Sequence, residues 1–158
     1  MRTIIQSLCD KSDLDEPRAR ELFSRIISGQ LSDIEITSVL VALKAKGETP
    51  IEIAGAASAM RQSANQLNLD GIDVADTCGT GGDCSGTVNL STAAALVVAE
   101  AGLPVAKHGN RSVSSRCGSA DILESCGVKI DGDATFAKLC LEENGLCFLF
   151  APIYHPGM

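Results

Sequence analysis

A chain of 158 residues, 45% hydrophobic and 21% charged, suits one domain or a domain with a small appendage, and can bury an ordinary core without disulfides. Its 13 Lys+Arg against 20 Asp+Glu leave a net charge of −7, and one Tyr, four Phe and no Trp offer little stacking surface. These values exclude a surface built for nucleic acid or anionic membranes in bulk, so an anionic ligand must be held by a local patch. Seven cysteines with no C-x-x-C, and two histidines at no zinc spacing, point to reduced thiols in a cytoplasmic protein. The N-terminus reaches charged residues before an apolar signal core can form, and the uncharged stretch 84–99 carries Ser, Thr and Asn, so neither targeting nor membrane insertion is expected.

In chain order, the first third predicts three amphipathic helices. Over 15–29, Ala19, Leu22, Phe23, Ile26 and Ile27 form one apolar stripe between a capping Asp15 and a stopping Gly29. Ser32-Asp33-Ile34-Glu35 and Thr49-Pro50-Ile51-Glu52 are capping boxes that open helices running to about Lys46 and about Ala64. The second helix repeats Ile36, Val39, Leu40 and Leu43; in the third, small Ala54, Ala57 and Ala64 beside Ile53 and Met60 predict close helix approach. Residues 1–65 thus form a helical domain whose apolar stripes suit dimerisation.

After a polar stretch at 66–73 the texture changes. Strand-like runs at 74–77, 105–107, 128–130 and 146–151 alternate with helical segments at 91–101, 119–126 and 133–144, which predicts a parallel sheet covered by helices. Gly102, Gly127 and Gly145 stand where helices should end. In such a sheet the ligand lies at the carboxyl ends of the strands, where three unusual loops fall.

The first loop, Cys78-Gly79-Thr80-Gly81-Gly82-Asp83-Cys84-Ser85-Gly86-Thr87, can turn several amides toward an anion and runs into Asn89-Leu90-Ser91-Thr92 at a helix N-terminus, itself suited to phosphate. It matches neither the dinucleotide fingerprint nor a Walker loop. The second gathers Lys107, His108, Arg111 and Arg116 among Asn110, Ser112, Ser114 and Ser115, a mixture suited to a polyanionic, hydroxyl-rich ligand. The third is Pro152-Ile153-Tyr154-His155-Pro156. Cys78 and Cys84 flank the glycine loop without a paired base, so no thiol nucleophile is assigned, and His108 is given no proton-transfer role.

Four segments, Asp76-Thr77-Cys78-Gly79-Thr80-Gly81-Gly82-Asp83, Asn89-Leu90-Ser91-Thr92-Ala93, Lys107-His108-Gly109-Asn110-Arg111-Ser112-Val113-Ser114-Ser115 and Phe148-Leu149-Phe150-Ala151-Pro152-Ile153-Tyr154-His155-Pro156, resemble in order and spacing the motifs of the anthranilate phosphoribosyltransferases. The resemblance implies an α/β chain of nucleoside phosphorylase/phosphoribosyltransferase type: a small all-helical domain at 1–65, then the first part of a parallel-sheet domain at 66–158. It implies transfer of a 5-phosphoribosyl group from phosphoribosyl diphosphate (PRPP) to the amino nitrogen of anthranilate, with Mg²⁺, in tryptophan biosynthesis. It further implies a homodimer through the N-terminal helices, with neither nucleic acid nor membrane as partner. PRPP would meet Gly79, Gly82, Asp83, Thr87, Asn89, Leu90, Ser91, Thr92, Lys107, His108, Gly109, Asn110, Arg111, Ser112, Val113, Ser114, Ser115 and Ser119; anthranilate would meet Gly79 and Asn110; Ser91 would ligate the metal; no catalytic residue is assigned. The family's chains are longer, and their remainder would supply an Arg for the anthranilate carboxylate and an Asp-Glu pair for a second metal. This stretch alone is expected to be inactive or nearly so. A pyrimidine-nucleoside phosphorylase of similar fold and a non-catalytic interaction module stand as alternatives.

Overall fold

The computed structural model describes residues 1–69, 71–79, 88–112 and 117–157. They divide into two compact units, the first built on Met1–Ala64 with Gly157, the second on Asn65–Pro156.

The first unit holds four helices, α1 (Arg2–Cys9), α2 (Glu16–Ile27), α3 (Asp33–Lys46) and α4 (Pro50–Ser63). The sequence reading missed α1, whose Leu8 is fully buried in a core with Leu14, Leu22, Val39 and Leu43. Both capping boxes form: Ser32 and Thr49 accept from the amides of Glu35 and Glu52, whose carboxylates reach back to the cap amides. The expected packing face of α4 is wrong. Ile53, Ala54 and Ala57 are exposed, Met60 and Ala64 are half-buried, and the helix instead buries Glu52, Gly55 and Ala59. A buried acid outvoted the apolar pattern because Lys46 and two backbone amides satisfy it. The close approach occurs at Gly55, where an added Cβ would stand 2.7 Å from Ala19 Cβ and 2.8 Å from the Glu16 carbonyl oxygen. Gly55→Ala should therefore force α2 and α4 apart, at a cost of about 1–3 kcal/mol, read as a lower midpoint in urea.

In the second unit, α5 (Leu90–Glu100), β1 (Val105–Gly109), α6 (Ser119–Ser125), α7 (Ala134–Asn144), β2 (Leu146–Phe150) and α8 (Ala151–Tyr154) follow in order. β1 pairs in parallel with β2, from Val105 opposite Leu146 to Gly109 opposite Phe150. The other edge of β1 meets Ala75 in a single parallel bridge, the remnant of the strand expected at 74–77. The run at 128–130 forms no strand: α6 ends in a Schellman turn in which Gly127 takes a φ of +83° and the Val128 amide donates to the Leu123 carbonyl, so that amide serves the helix end. Gly102 and Gly145 close α5 and α7 as expected. The segment after β2, expected as a loop, opens with the short helix α8. No helix among the described residues is long and apolar enough to cross a membrane.

Candidate active site

The carboxyl ends of the Ala75 segment, β1 and β2 bring together described residues at or beside the three predicted loops, Asp76, His108 and His155. Lys107 and His108 belong to β1, not to the loop after it. As neighbours in a strand they project to opposite faces.

Lys107 is 2% exposed. Its ammonium lies 3.4 Å from the Ser91 hydroxyl in the first turn of α5, while the Thr77 hydroxyl donates to the Ser91 carbonyl at 2.7 Å and ties that turn to the first chain segment. Burial lowers the Lys107 pKa, against the opposing pull of Asp76 and Cys78. A buried, incompletely paired ammonium beside a hydroxyl at a helix N-terminus is an arrangement that favours an anionic ligand.

On the His108 side, Asp76 Oδ2 is 3.0 Å from His108 Nδ1, and Asp76 Oδ1 accepts from the amides of Cys78 and His108 at 2.9 and 3.3 Å. Burial pushes Asp76 up, but the bonds from Cys78 and His108 outweigh it and leave the carboxyl below its ordinary value. The Cys78 thiol is raised, by burial first and by Asp76 second, the opposite of an activated thiolate. The His155 ring lies 6.0 Å from that of His108.

Gly109 is required by space: a Cβ there would collide with the Ser119 hydroxyl and the Phe148 ring. Asn110 is exposed; its carbonyl accepts from the Ala120 amide and Ser119 hydroxyl, and its side-chain oxygen from the Arg111 amide. Arg111 faces protein here, bidentate on Glu124 at 2.7 and 3.0 Å, 3.3 Å from Asp121, and 5.7 Å from the Phe150 ring centroid. Asp121 also accepts from the amides of Ser112 and Gly118, so α6 organises both ends of the basic loop. Asn89 makes no cap; its amide donates to the Gly118 carbonyl at 3.0 Å. Leu90 is exposed, Gly79 has open space around it among the described residues, and Thr92 turns inward, its buried hydroxyl without a partner among them, beside a cavity of about 140 Å³ lined by Leu96, Phe136 and Phe148. Gly82, Asp83, Thr87, Val113, Ser114 and Ser115 lie outside the described residues.

Sequence reasoning assigned no role to Asp76, Thr77, Asp121 or Glu124. The signal for the last two was available: an acidic pair spaced i, i+3 on a helix following a basic loop.

Two family models cover the chain, the glycosyl transferase family helical bundle domain over 2–64 and the glycosyl transferase family a/b domain over 71–158. The chain is 54% identical over its full length to 45% of an anthranilate phosphoribosyltransferase of Sorangium cellulosum. The structure of the anthranilate phosphoribosyltransferase from Thermus thermophilus superposes with a TM-score of 0.88 at 43% identity, covering 98% of this chain and 47% of that one. The Saccharomyces cerevisiae enzyme in complex with PRPP and Mg gives 0.87 at 27%, covering 99% and 47%. The chain thus spans about half the length of the relatives it matches, and with its helical bundle and a/b domains both matched it belongs to this glycosyl transferase family.

Proposed function

We propose that the chain is part of an enzyme that transfers a 5-phosphoribosyl group from PRPP to the amino nitrogen of anthranilate and releases diphosphate. The observation that carries this reading is the buried Lys107 ammonium set against Ser91 at the head of α5. In this reading PRPP meets Gly79, Gly82, Asp83, Thr87, Asn89 to Thr92, and 107–115 with Ser119, and anthranilate meets Gly79 and Asn110. The names of the relatives and the PRPP and Mg of the yeast complex support it.

Breaking the bond between C1 and the diphosphate oxygen puts positive charge on the ribose and negative charge on the leaving group. Lys107, fixed in a strand and withdrawn from water, neutralises the leaving group without reorganising. The aromatic amine is already unprotonated at neutral pH, so holding it against C1 contributes more than a strong base would. Arg111 enters as a ligand contact by exchanging Glu124 for phosphate.

Mg²⁺ fits the donors present. Among the described residues there is no cluster of His, Cys, Asp or Glu able to cage a metal, whereas the Ser91 hydroxyl, with one long bond from Lys107, is a hard oxygen available to a cation held mainly by substrate phosphates and water. When bound, the ion would add charge neutralisation on the diphosphate. Exposed Ile34, Leu40, Val41, Ile51 and Ile53 on α3 and α4 support a homodimer, and the exposed thiols of Cys9, Cys78 and Cys126, which form no disulfide, suit a reducing, cytoplasmic setting.

Calorimetric titration tests the reading. PRPP with Mg²⁺ should give saturable heat, and thymidine with phosphate, or single-stranded DNA, none. Heat from either of the latter two without the first would replace the transferase by a phosphorylase or by a nucleic-acid-binding module.

A further inference from the structure

Asp76 is set beside β1 by the parallel bridge of Ala75 with Val105, and its two oxygens meet three nitrogens. Oδ1 takes the backbone amides of Cys78 and His108; Oδ2 faces His108 Nδ1 at 3.0 Å. Both side chains are partly sheltered, at 32% and 40% exposure. With its carboxyl held below the ordinary range, Asp76 is ionised at neutral pH and can only accept. The proton of the pair therefore sits on Nδ1, and in a neutral imidazole that leaves the lone pair on Nε2.

We propose that Asp76 is a positioning residue that locks His108 in the Nδ1–H tautomer, so that the ring offers Nε2 as an acceptor at the carboxyl end of β1 and meets an O–H or N–H donor of the ligand, not a phosphate oxygen. Phosphate oxygens are themselves acceptors at high pH, and a lone pair facing one gains nothing. His108 and Lys107, adjacent in sequence, then divide the ligand between them: Lys107 takes the anion and His108 takes a donor group of the sugar or of the aromatic amine. The ligand half of this inference rests on the function proposed above; the tautomer is a property of the chain alone.

Long-range ¹H–¹⁵N correlation spectra of the 158-residue chain at pH 8.5 test it, since the chain has two histidines and His108→Gln assigns the signals. The unsubstituted chain should show His108 with a protonated Nδ1 and a bare Nε2. In Asp76→Asn the side-chain carbonyl can still accept the backbone amides while its NH₂ faces Nδ1, so the proton should move to Nε2. An Nε2–H ring in the unsubstituted chain overturns the proposal even if the variant does not fold, and an unchanged tautomer in a folded Asp76→Asn overturns it too. Ribose 5-phosphate and anthranilate, titrated separately, tell an O–H from an N–H donor by which one moves the Nε2 resonance; inorganic diphosphate should leave it in place. Protonation of Nε2 by diphosphate, or a ring unmoved by a ribose 5-phosphate and an anthranilate that both bind, overturns the donor assignment. If none of the three binds, the proposed function fails while the tautomer result stands.

Discussion

Glu52→Gln should destabilise the helical unit by about 3 kcal/mol at pH 7, the scale of a broken buried ion pair. Glu52 and the Lys46 ammonium are 2% and 3% exposed, with Oε2 and Nζ 2.9 Å apart. The Glu52 carboxylate also accepts the amides of Leu14 and Thr49 and the Thr49 hydroxyl, so one side chain fixes the entry to α4, the end of α3 and the loop before α2. Burial alone would raise its pKa, but these hydrogen bonds outweigh it and lower the value to about 2. The folded value lies below the unfolded one, so the group's contribution is fully present above about pH 4.5 and is lost as pH falls toward about 2. Lys46 keeps Asp13 as a second partner, which is why the loss should stay near the lower end of the range for broken pairs. Urea denaturation followed by circular dichroism, from pH 7 to pH 3, measures both effects. The gap between the two proteins should narrow as the pH falls; equal midpoints at pH 7, or a gap independent of pH, would remove the ion pair from the account.

The same residue shows what could be read from the chain and what could not. Thr49 and Glu52 announce a capping box, a local pattern of two side chains and two amides, and the box forms. That the same carboxylate is buried against Lys46 and Leu14 depends on contacts outside that local pattern, the one to Leu14 spanning distant parts of the sequence, so the apolar pattern of α4 pointed to the wrong face. The strands divide similarly. At 105–109 the chain has neighbours on both edges and becomes a strand; at 74–77 one bridge survives; at 128–130 the helix end claims the amide of Val128. At the site, composition located the cations but not their partners. Lys107 and Arg111 read alike in sequence, yet one is buried with, among the described residues, a single long bond to a hydroxyl, and the other lies on the acids of α6. The backbone decides between them, because a mid-strand residue is enclosed by its neighbours while a residue two past the strand is not.

That difference makes Lys107→Met the variant with the largest expected effect on binding. It keeps most of the length and apolar character of the stem and removes the ammonium, with its charge and its hydrogen-bond donors. Affinity for inorganic diphosphate or PRPP with Mg²⁺ should fall by about 10- to 10²-fold, corresponding to the roughly 1.5–3 kcal/mol of a hydrogen bond to a charged group. Stability should move the other way. Burial depresses the Lys107 pKa, so at neutral pH its charged form is held at a cost to folding that is relieved as pH rises through the folded value, and methionine removes that cost. A raised melting temperature together with lost binding would identify a charge kept for its ligand. Full affinity in the variant would refute the role of Lys107, and a melting temperature lowered by several degrees would make its bond to Ser91 structural. The unsubstituted chain adds a further check: because anion binding favours the charged ammonium, affinity should decline on the alkaline side at lower pH than for an ordinary lysine, and complex formation there should take up protons.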